Sequence, residues 1–477
     1  METNKVRVRF APSPTGIMHL GNVRAALLNY LFARQKDGTF VLRIEDTDPQ
    51  RNFDPQGKQI LADLAWLSLH FDEGPGVNEK YGPYYQSERT SIYHEYLEKL
   101  KAMGRVYRCF CSQEELEKKR QRQMALKMPP RYDRICLKLT QADIEKKLAE
   151  NVPFIWRFKL DDSTLQVTDL ARGVVTYDLK HFADFALTRP DHSFTFLFTN
   201  AIDDMLMHIT HVIRGEDHLT NTALQANLYQ AFNHPIPVFW HLSIMCNKEG
   251  KKLSKRDFGF SLHDLRDAGF LPEAIDNYLA TQSGTFTEEI MDLKKLASAI
   301  NFDHIASTGP IKYDVDKLRW INHKWIQRLS PEELLKRCLP FMQLVGQQVC
   351  AIDDATLLKL IKAVQPDLTT LLDASKALDF YFVEPVYNKE DLKHLDQEIV
   401  KHFAQDLATI SAQELQTKLI PSAIEHAKRL GIDTKNMYGL LRYMFTGSLH
   451  GIGVKDLINL VPAETLHKRI QTFEKNV

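Results

Sequence analysis

The chain has few cysteines, no surplus of either charge and no long apolar run. Six cysteines in 477 residues do not make a disulfide framework, which favours a reducing, cytoplasmic environment. No apolar run approaches about 18 residues, so we expect no membrane span. The first residues do not combine a cationic stretch with an apolar one, so we also expect no secretory leader.

Neither charge dominates, because Lys and Arg together number 61 and Asp and Glu also number 61. This neutral total does not exclude a nucleic-acid partner, since such binding needs only a local basic face. The apolar fraction of 44% and the charged fraction of 26% are typical of a globular protein. The length predicts about three to five domains.

The beginning of the chain predicts a βαβ unit. Val6–Phe10 is typical of a short buried strand, and Pro12 and Pro14 block helix in the loop that follows. An amphipathic helix is predicted from about Leu20, and Phe40–Ile44 is a second predicted strand. The unit indicates an α/β fold with a parallel sheet, in which ligands lie at the carboxyl ends of the strands.

Later segments differ in character. Residues 100–195 predict an insertion, with a polar helix from Ser112 to about Met124 and short strand-like runs. Beyond about residue 325 the pattern is nearly all helical, and capping boxes begin at Ser330 and Ser411.

His19 lies where the first helix is predicted to begin, a position that favours phosphate binding. It could donate a hydrogen bond to a phosphate oxygen as charge builds in a transition state. Gly16 and Gly21 would let a nucleotide approach the backbone closely. A lone histidine is more often a surface residue near a turn, but the proline-rich loop before it weighs against that interpretation.

A basic loop lies more than 200 residues downstream, where Lys252 and Lys255 flank Leu253 and Ser254. Flexible ammonium groups suit a departing pyrophosphate. Alone, this loop would read as a solvated basic turn. Combined with His19, it supplies the parts needed to hold ATP and to stabilise attack on its α-phosphate.

Arg9 and Arg214 lie at predicted strand ends, and two guanidinium groups suit a dicarboxylate such as glutamate. Glu45 could receive the ammonium group. Glutamine would be rejected, because it leaves a buried guanidinium without a counter-charge, at a cost of roughly several kcal/mol. A structural ion pair is the alternative for each arginine.

Cys109, Cys111 and Cys136, with Tyr132 as a fourth ligand, suggest a tetrahedral zinc site. Three buried thiols are the alternative, and both interpretations stay open. The remaining cysteines are expected in the core: Cys246, Cys338 and Cys350. The densest basic stretch, Lys118–Arg122, could meet a nucleic-acid backbone or form a solvated helix face.

Taken together, these segments resemble the bacterial-type glutamyl-tRNA synthetases, which are class I aminoacyl-tRNA synthetases. Arg9–Gly16 with His19–Asn22 is similar to the first signature of that family, and Lys252–Arg256 to the second. Further family-like segments follow along the whole chain: Arg43–Asp48, Phe71–Pro75, Tyr85–Arg89, Val212–His218, Gly269–Ala274, Lys317–Trp320 and Thr446–Ser448.

The resemblance implies a Rossmann-like parallel sheet split by an insertion and followed by an all-helical half. The expected segments are the two halves of the catalytic domain (1–98 and 199–245), a connective acceptor-binding insertion with the zinc candidate (99–198), a stem-contact region with the basic loop (246–324) and an all-helical anticodon-binding region (325–477).

It also implies L-glutamate, ATP with Mg²⁺ and tRNA(Glu) as substrates, with tRNA needed before activation; we expect a cytoplasmic monomer. His19, Lys252 and Lys255 would be catalytic. Glutamate would be held by Arg9, Ala11, Ser13, Glu45, Phe196, Asn200 and Arg214. ATP would face His19, Gly21, Asp217, His218, Leu242, Leu253, Ser254 and Lys255.

Two positions depart from the family pattern. Phe196 stands where a tyrosine usually reaches the amino acid, and the lost hydroxyl would remove a hydrogen bond worth about 1.5–3 kcal/mol. Asp367 falls where members that reject tRNA(Gln) carry an arginine, which gives the hypothesis that tRNA(Gln) is also glutamylated.

Three other classes of protein share part of this pattern. Glutaminyl enzymes would need a β-rich second half, and a short paralogue that glutamylates a modified tRNA base lacks the second half. A catalytically silent tRNA-binding paralogue would be expected to lose His19 or the basic loop, and both are present.

Overall fold

The computed structural model describes residues 5–48, 51–284, 286–302, 309–344, 346, 349 and 352–476. The chain forms two compact units. One comprises Met1–Asp264 and Ile275–Val315, and the other comprises Leu265–Ala274 and Asp316–Val477. The finer division into five segments stays a prediction. Of the cysteines expected in the core, Cys246 and Cys338 are buried, and Cys350 lies outside the described residues.

All strands that the described residues form lie in the first unit. They are β1 Arg7–Phe10, β2 Thr39–Leu42, β3 Val106–Cys109, β4 Ile155–Phe158, β5 Thr164–Asp169, β6 Gly173–Asp178, β7 Phe185–Ala186, β8 His211–Gly215, β9 Val238–Leu242, β10 Met245–Cys246 and β11 Ile311–Lys312.

Helices occur in both units. Up to residue 299 they are α1 Leu20–Gln35, α2 Lys58–Trp66, α3 Thr90–Ala102, α4 Gln113–Ala125, α5 Gln141–Ala149, α6 Phe196–Leu206, α7 Leu219–Ala231, α8 Leu262–Asp267, α9 Pro272–Thr281 and α10 Leu293–Ala299. The later ones are α11 Val315–Ile326, α12 Pro331–Leu344, α13 Asp354–Val364, α14 Asp373–Ala377, α15 Asp379–Phe382, α16 Gln397–Ala408, α17 Ala412–Leu430, α18 Thr434–Thr446, α19 Val454–Leu460 and α20 Ala463–Asn476.

Parallel strands from both sides of the insertion lie together in the first unit. β1 pairs with β2, and β9 pairs with both β8 and β5, all in parallel. Arg7 in β1 links these groups, because Thr210 N donates to Arg7 O at 3.0 Å and Arg7 N donates to Thr210 Oγ1 at 2.9 Å. The predicted strands at both ends of the βαβ unit are confirmed with bounds shifted by one or two residues.

The insertion forms its own antiparallel sheet from β3, β4 and β7. The hairpin of β5 and β6 differs, since β5 joins the parallel strands rather than this sheet. Its alternate residues Leu165 and Val167 are buried in a core shared with Val212 and Phe239, which accounts for the placement. The predicted α/β class with an interrupted parallel sheet is confirmed.

The helical second half is also confirmed for its described residues, which contain no strand after Lys312. Ser330 caps α12 as predicted, because its hydroxyl accepts the N–H of Glu333 at 3.2 Å. The capping box expected at Ser411 is wrong. Its hydroxyl donates to the Glu414 carboxylate at 3.0 Å and accepts no N–H from the described backbone of helix α17. Among the described helices, we find none that is both long and apolar enough to cross a bilayer.

Candidate active site

A cavity of about 380 Å³ opens at the carboxyl ends of β1, β8 and β9. This is the edge at which ligands bind in parallel α/β sheets. Segments far apart in sequence contribute to its wall, and they bring together most of the residues singled out by the sequence. Those residues are Arg9, Ala11, His19, Gly21, Phe196, Asn200, Arg214, Asp217, His218, Leu242, Lys252 and Leu253.

A second cavity of about 520 Å³ adjoins the first, because His19, Phe196 and His218 line both. Ser13, Glu45 and Lys255 lie in its wall. Ser254 lines neither cavity: its hydroxyl donates to Asp257 at 2.8 Å. Its predicted contact with ATP stays a prediction.

The start of helix α1 is bonded through the backbone to the residues that follow the basic loop. Leu20 N donates to Phe260 O at 3.0 Å, and Leu262 N donates to Met18 O at 2.9 Å. His19 therefore lies beside the end of the basic loop, although more than 200 residues separate them in sequence. Lys255 and His19 line the same cavity, as the proposed ATP chemistry requires.

His19 caps α1 and carries its proton on the outer ring nitrogen. Its Nδ1 accepts the backbone N–H of Asn22 at 3.3 Å, so Nε2 is left as the donor of the neutral ring. The pKa of His19 is lowered, first by burial and then by the positive charge of Lys252. Phe260 holds the ring in place, with centroids 5.3 Å apart. A neutral imidazole with a free Nε2–H can donate to an anionic oxygen.

The basic loop is braced by one carboxylate. Asp257 accepts from Ser254 N and Oγ, both at 2.8 Å, and from Asn247 Nδ2 at 3.2 Å. These bonds keep the pKa of Asp257 below its ordinary value. Lys252 and Lys255 form no ion pair with any described residue. The loop thus presents two uncompensated ammonium groups on a fixed turn.

A buried network of charges lies beneath the cavity. Arg9 Nε lies 3.1 and 3.2 Å from the two oxygens of Asp204, which also accepts from Arg43 Nη1 at 2.8 Å. Glu45 Oε1 accepts from Arg43 Nη2 at 2.9 Å and from Asn200 Nδ2 at 2.7 Å. Glu45 Oε2 is buried with no partner in the described structure. Burial raises the pKa of Glu45, against the opposing effect of Arg43.

Arg214 is a buried cation without a carboxylate partner among the described residues. It is 7% exposed and donates to Gln225 Oε1 and Thr222 Oγ1, each at 2.8 Å. Burial, followed by the nearby charge of Arg9, lowers its pKa to about 10. Buried charges are normally paired, so this guanidinium is suited to an anion that enters the cavity.

Comparison with known proteins agrees with this geometry. Residues 5–320 match the tRNA synthetases class I (E and Q), catalytic domain, and residues 333–473 match an anticodon binding domain. The glutamate–tRNA ligase of Bacillus velezensis is 35% identical over 98% of this chain and 100% of its own length. That of a Sulfurihydrogenibium species is 36% identical over 98% of both. The chain belongs to the glutamate–tRNA ligases.

A solved member of the family has the same fold. The crystal structure of a glutamate tRNA ligase from Elizabethkingia meningosepticum, in complex with its amino acid, matches with a TM-score of 0.86 and 30% identity over 99% of each chain. The resemblance read from the sequence is therefore confirmed. Class I synthetases use ATP and Mg²⁺, and the two matched regions account for a catalytic and a tRNA-binding part.

Phe196 packs against His218 at the junction of the two cavities, with ring centroids 5.3 Å apart. The pKa of His218 is lowered to about 4, first by burial and then by Arg214, so its ring is neutral near pH 7. The aromatic pair adds an apolar surface and no charge next to Arg214.

The three cysteines of the insertion come together as the sequence predicts. Their Sγ atoms lie within 4.8 Å of one another, and those of Cys111 and Cys136 are 3.5 Å apart. The Tyr132 hydroxyl lies 3.3 Å from Cys109 Sγ. Tetrahedral zinc with bonds of about 2.3 Å needs sulfur atoms about 3.8 Å apart, so the three thiol groups are compatible with the metal.

Sequence motifs did not reveal several residues that shape the site. Gln225, Thr222 and Asp204 orient the predicted glutamate-binding residues, and Asp257 orients the basic loop. Gln225 and Thr222 lie on the helix that follows Arg214, eleven and eight positions downstream, where an arginine can meet the first turns of the next helix. That spacing was the available signal for these two residues.

Proposed function

We propose that this chain ligates L-glutamate to the 3′ end of tRNA(Glu) through a glutamyl-adenylate, with the paired cavities as its active site. The observation that carries the proposal is the meeting of three unsatisfied elements in one place. Among the described residues, these are the buried guanidinium of Arg214, which has no carboxylate partner, the Glu45 Oε2 atom, which has no hydrogen-bond partner, and the neutral Nε2–H of His19.

The charge of the buried network suits glutamate rather than glutamine. It contains four guanidinium groups and three carboxylates: Arg9, Arg43, Arg89 and Arg214 with Glu45, Asp203 and Asp204. Its surplus positive charge is neutralised by glutamate, whose two carboxylates outnumber its ammonium group. Glutamine has no net charge and leaves Arg214 uncompensated, which disfavours its binding.

The ammonium group of glutamate would bond to Glu45, whose Oε2 has no other partner among the described residues. A carboxylate of the substrate would bind the guanidinium of Arg214. Arg9 would supply a second cation, since the side chain of Arg9 lines the cavity and its two Nη atoms bond to no described residue. Contacts to the ammonium group and to the carboxylate groups would together hold the amino acid and fix its orientation.

In the first step, an oxygen of the α-carboxylate attacks the α-phosphorus of ATP. A new P–O bond forms, and the bond to the bridging oxygen of pyrophosphate breaks. His19 would donate its Nε2–H to a phosphate oxygen as negative charge builds, while Lys252 and Lys255 balance the departing pyrophosphate. Mg²⁺ supplies further charge neutralisation on the phosphates.

In the second step, the terminal ribose hydroxyl of tRNA attacks the carbonyl of glutamyl-adenylate. The ester bond forms, AMP leaves, and the hydroxyl proton passes to the leaving phosphate or to water. The protein positions the reactants and stabilises charge, and it needs no covalent intermediate.

Pyrophosphate exchange, measured with glutamate in the presence and absence of tRNA, tests this function. We expect exchange that depends on both glutamate and tRNA. A silent tRNA-binding protein would bind tRNA and show no exchange. Exchange supported by glutamine and not by glutamate would contradict the assigned specificity.

Glutamylation of tRNA(Gln) stays a prediction, and it rests on Asp367. It is exposed in a short helical turn, Gln365–Asp367, of the second unit. Charging assays with purified tRNA(Glu) and tRNA(Gln) decide the question, and Asp367→Arg should reduce only the second activity. No product on tRNA(Gln) would end the idea. The cytoplasmic location and the monomeric state also stay predictions.

We further propose that Cys109, Cys111, Cys136 and Tyr132 hold a structural Zn²⁺. Arg157 lies next to the cluster, with its guanidinium 4.1 Å from the centre of the Tyr132 ring. Its positive charge stabilises the thiolate form of Cys109. Despite burial, hydrogen bonding to Tyr132 and Arg157 keeps the pKa of Cys109 below its ordinary value, which favours a thiolate at that position. Burial and the contact with Cys136 raise the pKa of Cys111 to about 12, so zinc would have to displace the proton of that thiol. The metal would tie β3 to the loop containing Cys136.

Metal analysis of the purified chain tests the zinc site. We expect about one zinc per chain in the wild type and a loss of zinc in Cys136→Ser. Cys338→Ser is the matched control, since Cys338 is a buried thiol of helix α12 outside the cluster. Zinc retained in Cys136→Ser, or absent from the wild type, would favour three buried thiols instead.

A further inference from the structure

Behind Arg214, three buried side chains form a hydrogen-bonded row that the proposed chemistry does not use. Arg214 Nη2 donates to Thr222 Oγ1 at 2.8 Å, and Thr222 Oγ1 lies 2.7 Å from His241 Nε2. His241 Nδ1 lies 2.6 Å from Asp169 Oδ2. Thr222, His241 and Asp169 are each at most 2% exposed. We call these three residues the relay.

Regular secondary structure holds each member in place. In the parallel pair of β8 and β9, Arg214 lies directly opposite His241. Asp169 ends β5, the strand on the other side of β9, and Thr222 lies in the first turn of α7. Phe239 stacks on the His241 ring with an interplanar angle of 2°. The row therefore depends on neighbouring elements rather than on mobile loops.

The direction of each hydrogen bond follows from the donors available. A guanidinium only donates, so the Thr222 oxygen accepts from Arg214. The Thr222 hydroxyl proton has two acceptors within reach, His241 Nε2 at 2.7 Å and the carbonyl of His218 at 3.2 Å. The first is closer and is available when the ring is neutral with its proton on Nδ1.

Asp169 selects that tautomer of His241. The carboxylate accepts from the backbone N–H groups of Ala171 and Arg172 at 2.9 and 3.0 Å, which favour its ionised form. An ionised carboxylate only accepts, so Nδ1 of His241 must carry the proton. Burial lowers the pKa of His241, which agrees with a neutral ring.

We propose that the relay positions Arg214 for the substrate carboxylate. Asp169 fixes the tautomer of His241, and His241 Nε2 then accepts the proton of the Thr222 hydroxyl. A lone pair of Thr222 Oγ1 is thereby directed toward the guanidinium of Arg214. The inference rests on the proposed role of Arg214 in binding glutamate. The three residues are positioning residues and touch no substrate. Without the Thr222 hydroxyl, Nη2 keeps only the distant carbonyl of His218, at 3.4 Å, among the described residues. The guanidinium is then held mainly at one end, by the bond from Nη1 to Gln225 Oε1, and its orientation is less well defined.

Thr222→Val and Thr222→Ser test the proposal in aminoacylation assays at saturating tRNA. Valine has the shape of threonine without the hydroxyl, and we expect the KM for glutamate to rise by about 10-fold or more. The KM for ATP should stay within about twofold of the wild type. Serine keeps the hydroxyl and should restore most of the affinity for glutamate. An unchanged KM for glutamate in the valine variant, or equal rises in both KM values, would overturn the proposal.

Thr188→Val is the matched control. Thr188 is another buried threonine of the first unit, and its hydroxyl accepts from Trp156 N at 2.9 Å, but it lines neither cavity. It should lose thermal stability with no change in the KM for glutamate. If Thr222→Val does not fold, Asp169→Asn provides the same readout, since it weakens the selection of the His241 tautomer. An unchanged KM for glutamate in that variant would also overturn the relay.

Arg214→Ala separates this inference from the function on which it rests. If that variant binds glutamate normally, the assigned role of Arg214 fails and the relay fails with it. If Arg214→Ala raises the KM for glutamate and Thr222→Val does not, the function stands and only the relay is wrong.

Discussion

A Cβ placed on Gly21 would lie 3.0 Å from both Nδ1 and Cε1 of His19. This separation is too short for an unstrained contact, so the glycine leaves room for the imidazole rather than only for a nucleotide. The same ring is held on its other sides by Asn22 and by Phe260. Gly21 thereby helps to fix the direction of the Nε2–H.

Gly21→Ala should slow adenylate formation. The new methyl group pushes the His19 ring, and small displacements of a positioned group cost on the order of 10-fold to 100-fold in rate. Pyrophosphate exchange measures the effect. Gly439→Ala is the control, because Gly439 also lies within a helix and the nearest described atom to its Cβ would be in Leu449, at an ordinary contact distance of 3.7 Å. Equal activity of the two variants would mean that the ring tolerates the methyl group.

His19→Ala should lower kcat by about 10²–10³, the usual cost of removing one charge-stabilising donor. It also removes a helix cap, which typically costs about 0.5–2 kcal/mol of stability. His19→Asn separates the two effects, since asparagine caps helices well and cannot reproduce the imidazole donor. We expect His19→Asn to recover thermal stability and to remain slow. Wild-type turnover in either variant would remove His19 from the mechanism.

Local sequence pattern was enough to predict the first βαβ unit and its ligand-binding edge. Pro12 and Pro14 exclude helix from the loop, and the buried β2 strand and α1 follow from apolar spacing. Since these signals are local, they do not depend on the rest of the fold. The signature motifs then located most of the cavity wall, including His19 and Arg214.

What sequence could not supply was the pairing of side chains across elements. Asp204, Thr222 and Asp169 carry no motif, and their partners lie at distances that only the folded sheet creates. At Ser411 the sequence pattern predicted a side-chain contact that the structure does not form. Its spacing from Glu414 satisfies the capping-box pattern, yet the hydroxyl turns to the carboxylate, because a pattern does not fix a rotamer.

Phe196→Tyr should improve glutamate binding. Phe196 lines both cavities, so a hydroxyl at its ring can reach the amino acid that a family tyrosine is expected to contact. A hydrogen bond to a charged group contributes about 1.5–3 kcal/mol, which predicts a KM for glutamate lower by about 10-fold or more. The KM for ATP should not change. A higher KM for glutamate would indicate that the Phe196–His218 contact cannot accommodate the hydroxyl.

Glu45 should make the capture of glutamate sensitive to acid. Burial raises its pKa in the free protein, although Arg43 and Asn200 oppose the shift. As the pH falls, the carboxylate is therefore lost at a higher pH than an ordinary glutamate side chain, whose pKa is about 4.3. The substrate carboxylates titrate at or below that value, so they cannot cause an earlier decline. We expect kcat/KM for glutamate to fall on acidification above this range.

Glu45→Gln should lower kcat/KM at neutral pH by about 10-fold or more and abolish the acid limb. His19 also titrates, but its effect should persist in Glu45→Gln and appear in the KM for ATP. Steady-state kinetics from pH 5 to 8 compare the wild type with Glu45→Gln, and circular dichroism confirms that each is folded at each pH. An acid limb unchanged by Glu45→Gln would assign the decline to another group.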